Sequence, residues 1–364
     1  MKNSILLMIV ILAFGCKKSQ KHSYTDGATE WVDSLHYEGE KHLANIKQIT
    51  FGGDNAEAYF SFAGDKLVFQ TKNPAWNAPC DQIYITDINQ TWETEIPQRI
   101  SNGKGRTTCS YFMPGDSTII YASTHEGGDA CPPEPPHGPK YVWPIYSDFD
   151  IYIADLEGNM VKKMTDRDGY DAEATVSPKG DKIVFTSTRT GDLELFTMDI
   201  DGSNVQQVTN ELGYDGGAFF SPDGTKLIFR SSRPTSEEDV KEYKELLAQN
   251  LVQPTEMELY VCNVDGSDLK KITDLGNANW APFFHPSGER VIFCSNHKST
   301  KGGRPQFNLF MMNLDGSGLE QVTFDSVFDS FPMFSPDGTK LVFSSNRNNG
   351  GTHETNMFIA DWVE

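Results

Sequence analysis

The sequence predicts an all-β fold, a six-bladed propeller, and three observations carry that prediction. The first is a repeated phrase. Phe220-Ser221-Pro222-Asp223-Gly224-Thr225-Lys226-Leu227-Ile228-Phe229 returns as Phe334-Ser335-Pro336-Asp337-Gly338-Thr339-Lys340-Leu341-Val342-Phe343, with looser copies at Phe60–Phe69, Phe112–Tyr121, Val176–Phe185 and Phe284–Phe293. The second is the spacing. Gly64, Gly115, Gly180, Gly224, Gly288 and Gly338 are separated by 51, 65, 44, 64 and 50 residues, the period of a four-stranded blade with insertions in some copies. The third is an incomplete end. The last copy reaches Glu364 one strand short, and an orphan strand at 45–50 reads like the fourth strand Leu269–Thr273. It is expected to complete blade 6 and close the ring, removing the free sheet edges.

The copy from Glu173 to Thr209 shows how each blade is built. A short strand, Ala174-Thr175-Val176, meets the turn Ser177-Pro178-Lys179-Gly180-Asp181, where Pro presets φ and Gly takes positive φ. Lys182–Ser187 and Leu193–Ile200 follow as strands rich in β-branched and aromatic residues. Asp201-Gly202-Ser203 turns the chain into the last strand, Val205–Thr209. Runs such as Ile183-Val184-Phe185 are apolar on both faces, as a sheet packed between neighbouring blades requires.

Ahead of the propeller, Lys2 is followed by apolar residues from Ile5 to Phe14 and then Gly15-Cys16, a stretch too short to span a bilayer. Residues 1–15 read as a signal peptide, Ala13-Phe14-Gly15-Cys16 as a lipobox with Cys16 acylated, and 16–44 as a tether. The propeller is expected over 45–364. A net charge of −20 argues against nucleic acid and against electrostatic binding to anionic lipid, so the membrane is met through the lipid anchor. With 38% hydrophobic and 12% aromatic residues the chain can bury a sizeable core.

The insertions Thr71–Asp81, His125–Asp150, Pro234–Glu256 and Lys298–Gln306 all join second to third strands. That places them on one face, the top, opposite the minimal turns, and loops on a rigid scaffold are where binding and catalysis concentrate. The blade 4 insertion carries a helix: Ser236-Glu237-Glu238-Asp239 is a capping pattern, and Val240, Tyr243, Leu246 and Leu247 share a face. The blade 2 insertion is dense in Pro and aromatics, among them Tyr141, Trp143 and Tyr146.

Seven residues before each turn proline, or before Phe62 at that place in the first copy, stand Asn55, Thr107, Asp171, Asp215, Asn279 and Asp329, with Glu57 and Glu173 two further on. Four after each second-strand aromatic stand Asn73, His125, Arg189, Arg233, His297 and Arg347. The candidate ligand-binding residues are therefore Glu57, Thr107, Asp171, Glu173, Arg189, Asp215, Arg233, Asn279, Asp329 and Arg347, facing a protein, peptide or glycan. No cofactor is called for. Top-face His125, His137, His297 and His353 are the candidates for a metal, and they carry the alternative reading, a metal-assisted lyase or hydrolase. Cys80, Cys109 and Cys131 are brought to one rim, with Cys80–Cys131 the favoured disulfide, whereas Cys262 and Cys294 fall inside strands.

Six Ser-Pro-Asp-Gly-type repeats with Asp-Gly-Ser turns resemble the TolB-type propeller family, over about 320 residues. TolB carries a further amino-terminal domain for which this chain has no room, so the resemblance implies the fold and not the transport role. The same propeller caps prolyl-oligopeptidase-like peptidases, but no Gly-x-Ser-x-Gly elbow is present. Gly105-Arg106-Thr107-Thr108-Cys109, Cys131-Pro132-Pro133, Tyr141-Val142-Trp143-Pro144 and Tyr170-Asp171-Ala172-Glu173-Ala174 resemble a group of exported bacterial propellers. The top-face histidines are similar in arrangement to those of propeller-fold pectate-fragment lyases.

Overall fold

The computed structural model describes residues 35–135, 138, 140–299, 306–324 and 328–364. Cys16, the signal segment and His137 lie outside the described residues. Among those described, the strands form six four-stranded antiparallel sheets and one two-stranded ribbon. Blade 1 is Asp54–Phe60, Lys66–Asn73, Ala78–Asp87 and Gln98–Arg99; blade 3 is Asp171–Val176, Lys182–Ser187, Glu194–Asp199 and Gln206–Gln207. The innermost strands are Asp54–Phe60, Thr107–Phe112, Asp171–Val176, Asp215–Phe220, Asn279–Phe284 and Asp329–Phe334. Each touches the next, and the last touches the first, so the ring is closed.

Blade 6 takes its outer strand from the other end of the chain. Leu43–Gln48 pairs antiparallel with Asn356–Trp362, Leu43 opposite Trp362 and Gln48 opposite Phe358. The strand begins two residues earlier than the repeat suggests, because Leu43 and Ile46 are both buried in the core. The second strands bury every apolar side chain: Leu67, Val68 and Phe69 are wholly enclosed, as are Leu341, Val342 and Phe343. These residues, packed between blades, supply the apolar burial that holds the ring.

On the bottom face the Ser-Pro-Asp-Gly turns interlock. Ser221 Oγ donates to Asp223 (2.6 Å) and accepts from Lys226 N–H (2.9 Å), while Gly224 N–H bonds Ser221 O at φ +66°. A side chain on Gly338 would meet Pro286 of the preceding blade at 3.1 Å, and one on Gly180 would meet Pro114 at 2.7 Å. Gly180 and Gly338 are thus required by close packing around the ring as well as by their positive φ.

Candidate functional site

Every innermost strand carries a bulge at the same place. Between Ala56 and Tyr59, Thr108 and Tyr111, Ala172 and Thr175, Gly216 and Phe219, Trp280 and Phe283, and Ser330 and Met333 the register slips by one residue. The bulged residues Glu57, Cys109, Glu173, Gly217, Ala281 and Phe331 all have positive φ, between 45° and 59°. Only one is glycine, and such a backbone costs the other five on the order of 1 kcal/mol each. Together they line a waist of about 40 Å³ in the channel. Two residues on, Tyr59, Tyr111, Phe219 and Phe283 pack tilted or edge-on at centroid distances of 5.1–6.5 Å and floor the channel. Above the waist the channel widens into a cavity of about 840 Å³ that opens on the top face.

One wall of this funnel is polar. Arg230, in the second strand of blade 4, reaches over the channel and bonds Glu173 Oε1 at 2.7 Å. Its guanidinium also donates to the Tyr214 hydroxyl (2.5 Å) and lies 5.5 Å from the Trp143 ring. Two glycines make room for the pair. A side chain on Gly217 would start 1.8 Å from Arg230 Nη1, and one on Gly216 would start 2.4 Å from Glu173 Oε2. Glu173 is saturated: Tyr214 donates to Oε1 (2.5 Å), and Gly217 N–H (2.6 Å) and Thr186 (2.9 Å) to Oε2. Burial opposes its charge, but Arg230 and these donors outweigh burial and hold the carboxyl below its ordinary value.

Glu57 stands in contrast. Its Oε2 is enclosed and has no hydrogen-bond partner among the described residues. Burial pushes this carboxyl up to about 7, with Glu173 and Asp81 adding repulsion and the Cys109 thiol and Arg230 pulling the other way. Cys109 itself is pushed well up by burial and by both carboxyls, so it stays a thiol and is no nucleophile. Higher on the same wall Arg106 pairs with Asp81 (3.5 Å) and with Glu134.

The adjoining wall is aromatic. Trp143 lies 5.2 Å from Trp280, which stacks at 4.5 Å on Phe307. Trp143 is held by a device with no precedent in the repeats: Trp143–Pro144 of the blade 2 insertion pairs antiparallel with Leu251–Val252 of the blade 4 insertion. The expected helix is present at Glu237–Leu247, with Ser236 accepting from Asp239 N–H at its start. Tyr243 is buried beneath it and donates to Asp192 at 2.5 Å. The helix contributes no residue to the funnel lining, while Val252, Pro254 and Thr255 beyond it do.

Of the ten candidate residues, Glu57, Thr107 and Glu173 line the funnel. The other seven do not. Arg189 pairs with Asp171 (3.1 Å) and Arg233 with Asp215 (2.7 Å), while the fully buried Arg347 joins Asp329 (3.3 Å) and Glu40 (3.0 Å). Asn279 bonds the carbonyl of Met257 in the preceding blade, and Asn55 that of Thr355. Asp215 N–H and Asp329 N–H similarly reach Leu193 and Phe307. This outer ring fastens each innermost strand to the blade before it. The residues that sequence reasoning missed are Arg230, Tyr214 and Trp280. Arg230 had a signal: a long cation where other blades carry Gln70, Ala122, Thr186, Cys294 and Ser344, opposite a Gly-Gly pair.

His125 and His297 each bond a serine of their own blade, Ser123 (2.9 Å) and Ser295 (2.8 Å), and do not meet. The trio of possible metal ligands that gathers among the described residues is Glu126, Asp150 and Asp166. Lys163 sits within 2.9 Å of all three and is their shared cation. Cys80 and Cys131 form a disulfide with Cα atoms 5.9 Å apart, and Cys109, Cys262 and Cys294 are free.

A family model described as TolB beta propeller domain matches residues 145–241 and 242–360, and the chain belongs to that family. In structure it is similar to a putative TolB from Agrobacterium tumefaciens (19% identity, TM-score 0.57, 86% of this chain and 91% of that one). It is also similar to TolB from Acinetobacter baumannii (18% identity, TM-score 0.53, 86% of this chain and 64% of that one). An oligogalacturonate lyase in complex with manganese aligns with a TM-score of 0.48 at 13% identity, over 88% of this chain and 99% of that one, a score too low to carry an argument. Likeness at these identities shows the fold alone. No curated protein sequence matches significantly.

Proposed function

We propose that this chain is a binding propeller whose top-face funnel takes a peptide, a glycan or an exposed segment of a protein. The observation that carries the reading is the funnel itself: aromatic Trp143 and Trp280 beside polar Glu57, Glu173, Arg230 and Arg106, above an aromatic floor. Concave, largely apolar sites with a few convergent polar groups are what small ligands and chain ends occupy. The lyase or hydrolase reading has one observation in its favour, the carboxyl of Glu57 raised to about 7. Glu173 is saturated and Cys109 is held protonated, so a partner for Glu57 in such a reaction would have to come from Asp54, Asp81 or His353 of the same lining.

Intrinsic tryptophan fluorescence of the purified protein, read against a panel of short peptides and oligosaccharides, tests the binding reading. Trp143→Ala should weaken any ligand found by about tenfold, the scale of one lost aromatic stack with its buried area. Asp337→Asn in a bottom turn should leave it alone. A ligand that needs Asp337 and ignores Trp143 would place the site on the wrong face.

The sequence before residue 17 supports export and a lipid anchor on Cys16, and no helix of the described residues is long and apolar enough to cross a membrane. Cys16→Ser should then release the protein from the membrane fraction into the soluble exported fraction. Retention in the membrane fraction would count against the anchor.

A further inference from the structure

The funnel's charges do not balance. Asp54, Glu57, Asp81 and Glu173 line it against Arg106 and Arg230, with His353 at its edge also facing the solvent-side pocket residues Phe51–Asp54. The two guanidiniums are committed, Arg230 to Glu173 and Arg106 to Asp81 and Glu134. Glu57 is left at the narrowest point with an enclosed, unpartnered oxygen. An anionic ligand would meet that carboxylate with no free cation to offset it. A neutral hydroxyl would give it one hydrogen bond and leave the charge uncompensated. A cation meets both needs. The space is small: the waist holds about 40 Å³, where one water takes roughly 30 Å³. That suits an ammonium and the carbon bearing it.

Resting on the binding reading above, we infer that the ligand presents a primary amine as its protonated ammonium, which Glu57 receives at the waist while the attached group lies against Trp143 and Trp280. The groups facing Glu57 are Asp81 and Tyr59 of its own blade, Cys109 of blade 2, Glu173 of blade 3 and Arg230 of blade 4. Blades 5 and 6 bring only Ala281 and Phe331 to the waist. Cys109 and Tyr59 are held protonated far above neutrality and Glu173 is held ionised. Glu57 is therefore the waist carboxyl that changes charge near pH 7, and amine binding should strengthen from pH 5.5 to pH 8.

The test uses the whole exported chain with 2-phenylethylamine and its neutral analogue 2-phenylethanol, by calorimetry and tryptophan fluorescence. At pH 8 the amine should bind at least about tenfold tighter, the scale of one charged hydrogen bond. The preference should vanish in Glu57→Gln, persist in weakened form in Glu57→Asp, and shrink at pH 5.5. A tripeptide amide Phe-Ala-Ala binding tighter than 2-phenylethylamine, with the same dependence on Glu57, would mark a peptide amino terminus as the source of the amine. Equal binding would mark a free small amine. If amine and alcohol bind alike and both need Trp143, the amine inference fails while the funnel reading stands. If no amine probe saturates by about 10 mM, the inference falls. If the panel finds its ligand off the funnel, both readings fall together.

Discussion

Replacing Glu57 by Gln should make the folded protein more stable, and only at neutral and alkaline pH. Burial has raised this carboxyl from an ordinary value near 4.5 to about 7. The folded state therefore holds a proton that the unfolded state has released, and ionising the group in place costs stability. Each pH unit of that difference is worth about 1.4 kcal/mol, so the full penalty, present above pH 7, is roughly 3 kcal/mol. It fades as pH falls through the interval between 7 and 4.5 and is below about 1 kcal/mol at pH 5. Glutamine keeps the size of the side chain and the left-handed backbone at φ +54°, so the difference between the two proteins isolates the charge. For a propeller of this length the gain corresponds to about 4–5 °C in Tm. Urea unfolding of both proteins at pH 5, 6 and 8 measures it: the two curves should nearly coincide at pH 5 and separate with pH, Gln above wild type. If Gln is the less stable protein at pH 8, Glu57 is ionised and well partnered in the native state, and the argument for a ligand cation loses its footing.

Arg347→Met should lower stability by about 3–5 kcal/mol, because Asp329 and Glu40 would be left buried without their cation; calorimetry should show Tm falling by about 5–7 °C while binding in the funnel is unchanged. Cys131→Ser should cost about 2–4 kcal/mol by opening a loop of 51 residues, seen as a lower urea midpoint that reducing agent no longer affects. Deleting residues 43–48 should bare the edge of Asn356–Trp362, lower Tm and shift the protein to aggregates in size-exclusion chromatography; an unchanged Tm would mean that blade 6 does without its outer strand.

The propeller was legible because each blade repeats the same local chemistry. Turn proline, turn glycine and a run such as Leu227-Ile228-Phe229 state a strand pair unambiguously. The closing strand was legible for the same reason, although its start was not, since Leu43 is recruited by the packing of blade 6 and not by the repeat. The bulges were invisible. Nothing in Ala56-Glu57-Ala58 announces a left-handed residue, and the side chain that a strand would hide is instead turned into the channel. Counting positions located Asp171 and Arg189 correctly as neighbours but could not say that they face each other, leaving the mouth to residues two further on. The ribbon joining Trp143 to Val252 was out of reach because it pairs segments of two residues from insertions more than 100 positions apart, with no periodicity to betray them.

The bulge at the head of each innermost strand has an evolutionary consequence. The six waist positions read Glu, Cys, Glu, Gly, Ala and Phe. Because the backbone detour is made six times by the scaffold and carries five different residue types, the bulge itself leaves Cys109, Ala281 and Phe331 open to exchange, whereas Glu173 and Gly217 are tied to Arg230. A change at one of the three open positions alters the lining of the waist, away from the interlocked turns and the outer ring of ion pairs. On the binding reading proposed above, single substitutions at Cys109, Ala281 or Phe331 are the route by which a lineage built on this fold, or a designer, would change its ligand.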